Sequence, residues 1–252
     1  MITIKNKQAI LKMEKAGSLL SEIFADLSSI LKSGVTTLDL DTWIADQMRL
    51  KGLASQCKGY MGYKHVSCIS VNDEVVHGVP SKATVLADGD LVKVDICTSW
   101  KGYCADAARC YFVGGTGAEK TDHLVKVAKE SLDAGIEKAV AGNRLSDISA
   151  AIQSVVEKNG YGVVRDFAGH GIGKRMHEEP EILNYGQPGK GPVLRAGMTL
   201  AIEPMITMGA YHVYVTHDGW TVKTKDKSLA AHVEDTVLIT NDKPRILTRV
   251  HS

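Results

Sequence analysis

Five residues along the chain share one kind of chemistry: Asp95, Asp106, His170, Glu203 and Glu234. The four acids sit in hydrophobic runs, LVKVDI (91–96), ADAARCYF (105–112), LAIEPMI (200–206) and AAHVEDTVLIT (230–240), and the histidine in the glycine-rich turn AGHGIG (168–173). Residues 91–112 read as two strands folded back on one another. Alternation places Leu91, Lys93 and Asp95 on one face and Val92, Val94 and Ile96 on the other. With the turn centred on Trp100-Lys101, Asp95 and Asp106 stand directly opposite, their Cβ atoms about 5 Å apart. Two ionised carboxylates at that distance repel, so either one keeps a proton or a cation lies between them. Two further acids and an imidazole favour the cation, because burying four unpaired acids costs many kcal/mol. Four carboxylates and one imidazole suit two divalent metals, about 3.5–4 Å apart with bridging carboxylates. An oxygen-rich set with one histidine favours Mn, Fe, Co or Zn over a thiolate-bound ion.

These acids need a frame. Apolar periodicity predicts helices over 6–32 and 36–52, the second capped by Thr36 or Thr37, and again over 121–140 and 145–160. Residues 66–71 read as a strand and 78–80 as a turn. The second half repeats the first at a constant offset of 108: Gly34 falls on Gly142, Asp39 on Asp147, Ile44 on Ile152, Gly52 on Gly160, Gly89 on Gly197 and Asp95 on Glu203. An offset that persists through helix, turn and strand implies two related α/β halves. We expect one catalytic domain over 1–252, with pseudo-symmetric halves of about 1–115 and 116–252, each giving acidic strands to a shared centre.

Bulk properties are those of an ordinary globular protein: 252 residues, 44% hydrophobic, 23% charged, formal net charge +1. Bulk charge predicts no nucleic-acid or anionic-membrane partner. No apolar run approaches the roughly 20 residues of a membrane span, and the N-terminus does not read as a signal peptide. The five cysteines include no CxxC pair, which argues against a disulfide framework and for a reducing, cytoplasmic setting.

The ordered set Asp95, Asp106, His170, Glu203 and Glu234, together with GHGIG, MHEEP and the IEP strand, resembles the methionine aminopeptidases, most closely the short bacterial type I branch. That resemblance covers essentially the whole chain. It implies an α+β pita-bread (creatinase/aminopeptidase) fold, two pseudo-twofold-related α/β halves around a central antiparallel sheet. It also implies two divalent metal ions, one held by Asp95, Asp106 and Glu234, the other by Asp106, His170, Glu203 and Glu234, with Asp106 and Glu234 bridging. Glu203 is then also general base and proton shuttle. His77 is expected to contact the substrate backbone and aid proton transfer, and His177 to stabilise the tetrahedral intermediate. The family's methionine pocket falls on Cys57, Tyr60, Tyr63 and Cys68 of CKGYMGYKHVSC, completed by Met176 and Trp220. Nascent polypeptide N-termini, met transiently at the ribosome, are the implied partners of a cytoplasmic monomer.

Some residues depart from that pattern. His232 and Asp235 flank Glu234 where many relatives read A-Q-x-E-H-T, and Ala105 and Ala107 flank Asp106. An added acid and imidazole there are expected to tune metal preference or efficiency. His65, His123, His212, His217 and His251 are read as surface or loop residues, and Cys97, Cys104 and Cys110 as plain buried thiols. Competing readings are an X-Pro aminopeptidase or prolidase-like metallopeptidase, a low-activity paralogue, a metal-free binding protein on the same fold, and a mononuclear iron oxygenase. The last needs two histidines and one carboxylate. GGTG (114–117) and GQPGKG (186–191) match no nucleotide-binding pattern. The resemblance implies a cramped site for the second residue of a substrate, and this chain's own is Ile2. The chain is therefore expected to keep Met1; an intact mass lacking that methionine would count against it.

Overall fold

The computed structural model describes residues 1–249; His251 lies outside the described residues. Two helices, α1 (Lys7–Leu27) and α2 (Thr37–Leu50), precede the strands β1 (Ala54–Ser55), β2 (Cys68–Val71), β3 (Glu74–Val76), β4 (Leu91–Trp100) and β5 (Tyr103–Phe112). Helices α3 (Glu119–Lys138) and α4 (Leu145–Lys158) follow, then β6 (Gly162–Val163), β7 (Gly169–Gly171), β8 (Glu178–Ile182), β9 (Thr199–Ile202) and β10 (Met205–Thr207). The chain closes with β11 (Val213–Val215), β12 (Val222–Thr224), β13 (Ala230–His232), β14 (Glu234–Leu238) and β15 (Arg245–Ile246). Helix α1 stops at Leu27, short of the expected 32. There the Ser28 and Ser29 hydroxyls turn back onto the Ala25 and Asp26 carbonyls and compete with the helical ladder.

The central sheet runs β1-β4-β5-β14-β9-β7-β8, with β2 also on β4 and β15 also on β14. Two three-stranded sheets, β13-β10-β6 and β11-β12-β3, flank it. Among the described residues, helices cover one face only. Val92, Val94, Ile96, Ala105 and Ala107 pack there against α1 and α2, while Leu200, Ile202 and Val237 pack against α3 and α4. The acids lie on the opposite, concave face.

The offset of 108 holds at the level of single backbone bonds. The Gly34 N–H donates to Leu86 O at 2.8 Å, and the Gly142 N–H to Leu194 O at 3.0 Å. Thr36 bridges Val85 as Arg144 bridges Val193. Asp39 accepts from the Thr36 N–H and Asp147 from the Arg144 N–H, closing the first turns of α2 and α4 alike. Strand β4 opens at Leu91 and β9 at Thr199, the same interval apart. The two helix–turn–strand units share these bonds at matched positions.

Four local readings change. The β4–β5 turn centres on Lys101-Gly102, both at positive φ (48° and 76°), and not on Trp100-Lys101. Asp95 therefore faces Ala108 and Asp106 faces Cys97, so the two aspartates are diagonal neighbours on one face. His170 lies in strand β7 instead of a turn. Its glycine neighbours permit close strand approach: a Cβ on Gly169 would sit 2.4 Å from Ala201 O, and one on Gly171 2.0 Å from Glu179 O. The run 200–206 is two strands, because Pro204 has no N–H for the ladder and the chain leaves the central sheet at Glu203-Pro204. The run 230–240 likewise breaks at Val233, so β13 pairs with β10 while β14 pairs with β5 and β9. Glu203 and Glu234 thus stand at the points where paired strands cross from one sheet to another.

Gly171→Ala is expected to destabilise the fold by about 1–3 kcal/mol through overpacking against backbone that cannot retreat, read as a lower urea midpoint; an unchanged midpoint would contradict the close-approach explanation.

Candidate metal centre and substrate pocket

One cavity of about 120 Å³ is lined by Asp95, Asp106, His170, Glu203 and Glu234, and also by His77, His177, Cys57, Tyr60, Tyr63, Cys68, Met176 and Trp220. Residues spread across almost the whole sequence therefore share one space. Cys97, which we read as a plain buried thiol, lines it too. Strand pairing could have revealed it, since Cys97 faces Asp106 directly. His65, His123, His212 and His217 do not line it. His65 is only partly exposed and bonds Asp41 at 3.0 Å, His123 bonds the Tyr161 hydroxyl, and His212 and His217 are exposed.

The acids converge through sheet register. Asp95, Ala108 and Glu234 form one row across β4, β5 and β14. Asp106 enters from the next row, its N–H donating to Thr236 Oγ1 and its carbonyl accepting from the same hydroxyl, both at 2.9 Å. One donor atom each from Asp106, His170 and Glu234 lies within 4.8 Å of the others. His170 Nε2 is 3.5 Å from Glu203 Oε1 and 3.9 Å from Asp106 Oδ2.

Burial sets the protonation of this cluster. It raises Glu203 to about 8 and, with the charge of Glu203 adding to it, Asp106 to about 7. Asp95 and Glu234 move up for the same reasons, burial first and then Asp106. Burial lowers the imidazoles, His77 and His170 to about 4, and His177 downward as well. Acids that want protons beside bases that refuse them make a site short of positive charge. Asp106 Oδ1 and Glu234 Oε1 are buried without a hydrogen-bond partner. The His170 Nδ1–H donates to Gly171 O at 3.0 Å, which leaves the Nε2 lone pair pointing at the acids. Orphaned carboxylate oxygens and an oriented lone pair fit divalent cations.

The two departures beside Glu234 part company in space. Asp235 is on the helix side of β14, fully buried, and bound by Arg109 (2.7 Å), Arg249 (2.7 Å) and the Thr248 hydroxyl (2.8 Å). Strand alternation turns its side chain away from the centre, where its charge is the smallest of those acting on Glu234. Ala105 and Ala107 face the helices as well. His232 does reach the centre, its Nε2 3.5 Å from Glu203 Oε2.

The other end of the cavity is apolar. Tyr63 and Trp220 pack edge to face with centroids 4.9 Å apart, and the Tyr63 hydroxyl donates to Ser67 O at 2.9 Å. Cys57, Cys68 and Met176 add sulfur to the same cluster. His77 occupies the left-handed region (φ 58°) just after β3, and its ring packs on Phe167. His177 Nδ1 lies 3.1 Å from the Tyr60 hydroxyl, with its ring 4.5 Å from that of His170.

The sheet-lined cavity has an acidic end whose donor atoms fit divalent cations and a sulfur–aromatic end that fits one apolar side chain, which defines a metal-binding protein with a side-chain pocket. The chain is a member of metallopeptidase family M24, which matches residues 11–241. It is 50% identical over 248 residues to a methionine aminopeptidase of Clostridium acetobutylicum, covering 98% of this chain and 99% of that one. It is 41% identical over 250 residues to methionine aminopeptidase 1 of Bacillus subtilis, covering 99% of this chain and all of the relative. The crystal structure of a methionine aminopeptidase from Thermotoga maritima superposes with a TM-score of 0.97 at 44% identity, covering 99% of this chain and 100% of that one. A prolidase from Pyrococcus furiosus superposes at 0.80 with 25% identity over 99% of this chain and 66% of that one. The fold is the pita-bread fold, and the enzyme is a metallo-aminopeptidase that depends on divalent cations.

The pKa shifts predict how the metal-stripped protein responds to pH. Folded Asp106 and Glu203 keep protons that the unfolded chain loses near pH 4, so stability falls as pH rises toward 7–8. The buried histidines act oppositely, but only below about pH 6.5, where the unfolded chain gains their protons. Between pH 6.5 and 8 the chelated protein should lose on the order of 1–3 kcal/mol, and added divalent cation should restore it. A urea midpoint that is flat or rising with pH in chelator would contradict this.

Proposed function

We propose that this enzyme removes the N-terminal methionine from nascent proteins and peptides whose second residue is small, in the cytoplasm. The observation that carries the reading is that the carboxylate end and the sulfur–aromatic end are parts of one cavity. The length and thioether of methionine suit the Tyr63, Trp220, Cys57, Cys68 and Met176 end, where sulfur–aromatic contact adds to apolar burial. The peptide bond after that methionine then falls beside the carboxylates. An X-Pro or prolidase-like activity is not favoured, since full-length relatives at 40–50% identity are methionine aminopeptidases.

In this reading Asp95, Asp106 and Glu234 hold one divalent ion, and Asp106, His170, Glu203 and Glu234 a second, drawn from Mn, Fe, Co or Zn. Lewis acidity at this position, which lowers the pKa of water toward about 7 and polarises a carbonyl, is the chemistry such ions supply. Glu203 takes the proton of the attacking water at its carboxylate and returns it to the departing amine nitrogen, so the proton is conserved. The positive charge of such ions would hold Glu203 ionised, as a group that accepts the water proton must be. His77 and His177, kept neutral by burial, donate hydrogen bonds without adding charge: His77 to the substrate backbone, His177 to the oxygen that gains charge. One such donor is worth roughly 3–4 kcal/mol of transition-state stabilisation. Tyr60, at 3.1 Å from His177 Nδ1, orients that ring.

Chelator-stripped protein reloaded with Mn, Co, Fe or Zn should release free methionine from Met-Ala-Ser and nothing from Pro-Ala-Ser. Glu203→Ala should lose at least about 100-fold in kcat, as general base catalysis of this size implies. Metal binding without methionine release would sink the substrate assignment and bring forward the low-activity paralogue.

A further inference from the structure

The carboxylate of Glu203 lies between two imidazoles. His170 Nε2 is 3.5 Å from Oε1, and His232 Nε2 is 3.5 Å from Oε2. The rings are not equivalent. His170 gives its Nδ1–H to Gly171 O and so presents a lone pair. His232 is 1% exposed, and its Nε2 has no hydrogen-bond partner among the described residues. Glu203 Oε2 is the acceptor at 3.5 Å, and the Asp95 carboxylate is also near enough for its charge to act on the ring.

The placement of His232 is fixed by backbone. It pairs with Met205 across the β10–β13 ladder, two residues beyond Glu203, and its carbonyl accepts from Cys110 Sγ at 3.3 Å. Its neighbours Ala230 and Ala231 are fully buried in two different apolar clusters. An aliphatic residue would fill this place without leaving a polar atom unpaired, and an unpaired buried donor costs about 1–3 kcal/mol. An imidazole here is accounted for by the carboxylate in front of it, which a small side-chain rotation brings within hydrogen-bond distance.

We propose that His232 is a positioning residue: its Nε2–H donates to Glu203 Oε2 and holds the carboxylate with Oε1 turned toward His170 and the metal-binding oxygens. This rests on the reading of Glu203 as ligand and proton carrier. A carboxylate held at both oxygens cannot swing, so the atom that ligates and the atom that moves the proton keep separate places. Two strands that cross between sheets, at Glu203-Pro204 and at Val233, bring the pair together.

The test compares the full-length protein with His232→Leu, which keeps bulk without a donor, and His232→Gln, whose amide N–H can reach the same oxygen. Each is stripped and titrated with Co(II), following both affinity and the visible absorption of the bound ion, and then assayed on Met-Ala-Ser. His232→Leu should weaken Co(II) binding, alter its absorption and lower kcat, each loss about 10–100-fold where it is a ratio, with KM unchanged. His232→Gln should recover most of both. If His232→Leu does not fold, His232→Met takes its place as the donor-free variant. Wild-type Co(II) affinity, absorption and kcat in the donor-free variant would overturn the proposal, as would equal impairment of the Gln and donor-free variants. If the wild-type protein releases no methionine, the substrate reading falls, while the Co(II) titrations of the three proteins still decide the role of His232.

Discussion

Four carboxylates share the inner face of one sheet, and the rest of the structure answers their mutual repulsion. Burial pushes all four toward the protonated form, and neighbouring charge adds to it at Asp95, Asp106 and Glu234, yet two of their oxygens find no donor. Ordinary folding would discard such a cluster, because unpaired buried acids are expensive. It survives here because the deficit of positive charge is the binding energy for divalent cations. The frame around it must therefore be stable without contributions from the centre, and the helix-covered face is built that way. There β4, β5, β9 and β14 present a largely apolar surface to the helices, interrupted by Asp235 and Arg109.

Strand β14 shows how the two demands are kept apart. Glu234 and Asp235 are adjacent, both buried, and opposite in role. Glu234 looks into the cavity and lacks partners; Asp235 looks out and is held by two arginines and a threonine. The pleat alone separates them. Arg109 ties the two sides together, since it also donates to the Glu234 carbonyl. A buried ion pair of this kind adds little net stability over an apolar substitute, but losing one partner costs about 3–5 kcal/mol. It fixes the strand that carries Glu234.

Duplication supplies the geometry. Two copies of a helix–turn–strand unit, matched bond for bond around Gly34 and Gly142, bring one acidic strand each to the middle. The copies then diverge where chemistry requires it. Strand β4 continues to Trp100 through a tight hairpin and carries Asp95 within it. Its counterpart β9 stops at Ile202 because Pro204 cannot extend the ladder, and Glu203 is left at the break. An acid at a strand end has more freedom than one within a strand, which suits the proton-carrying role proposed for Glu203, and His232 stands 3.5 Å from it.

Much of this was legible in the sequence. Acids and a histidine in apolar runs, helix-stop glycines and a constant offset are local patterns, and they were enough to single out five candidate ligands and the repeat; the candidate pocket residues came from the family resemblance, and the fold brings both groups to one cavity. What the sequence could not specify was register and handedness of exit. Whether Asp106 faces Asp95 or Cys97 turns on one residue in a hairpin, and only the left-handed Lys101-Gly102 turn decides it. Gly169 and Gly171 carry the same letters in a turn or in a crowded strand; the carbonyls of Ala201 and Glu179, distant in sequence, settle which. Asp235 and His232 looked alike as additions beside Glu234, yet one faces the helices and the other the centre. Local composition determines what each element can do. Which face each side chain takes is decided by pairing with strands far along the chain, because a single-residue shift in a sheet reverses inside and outside.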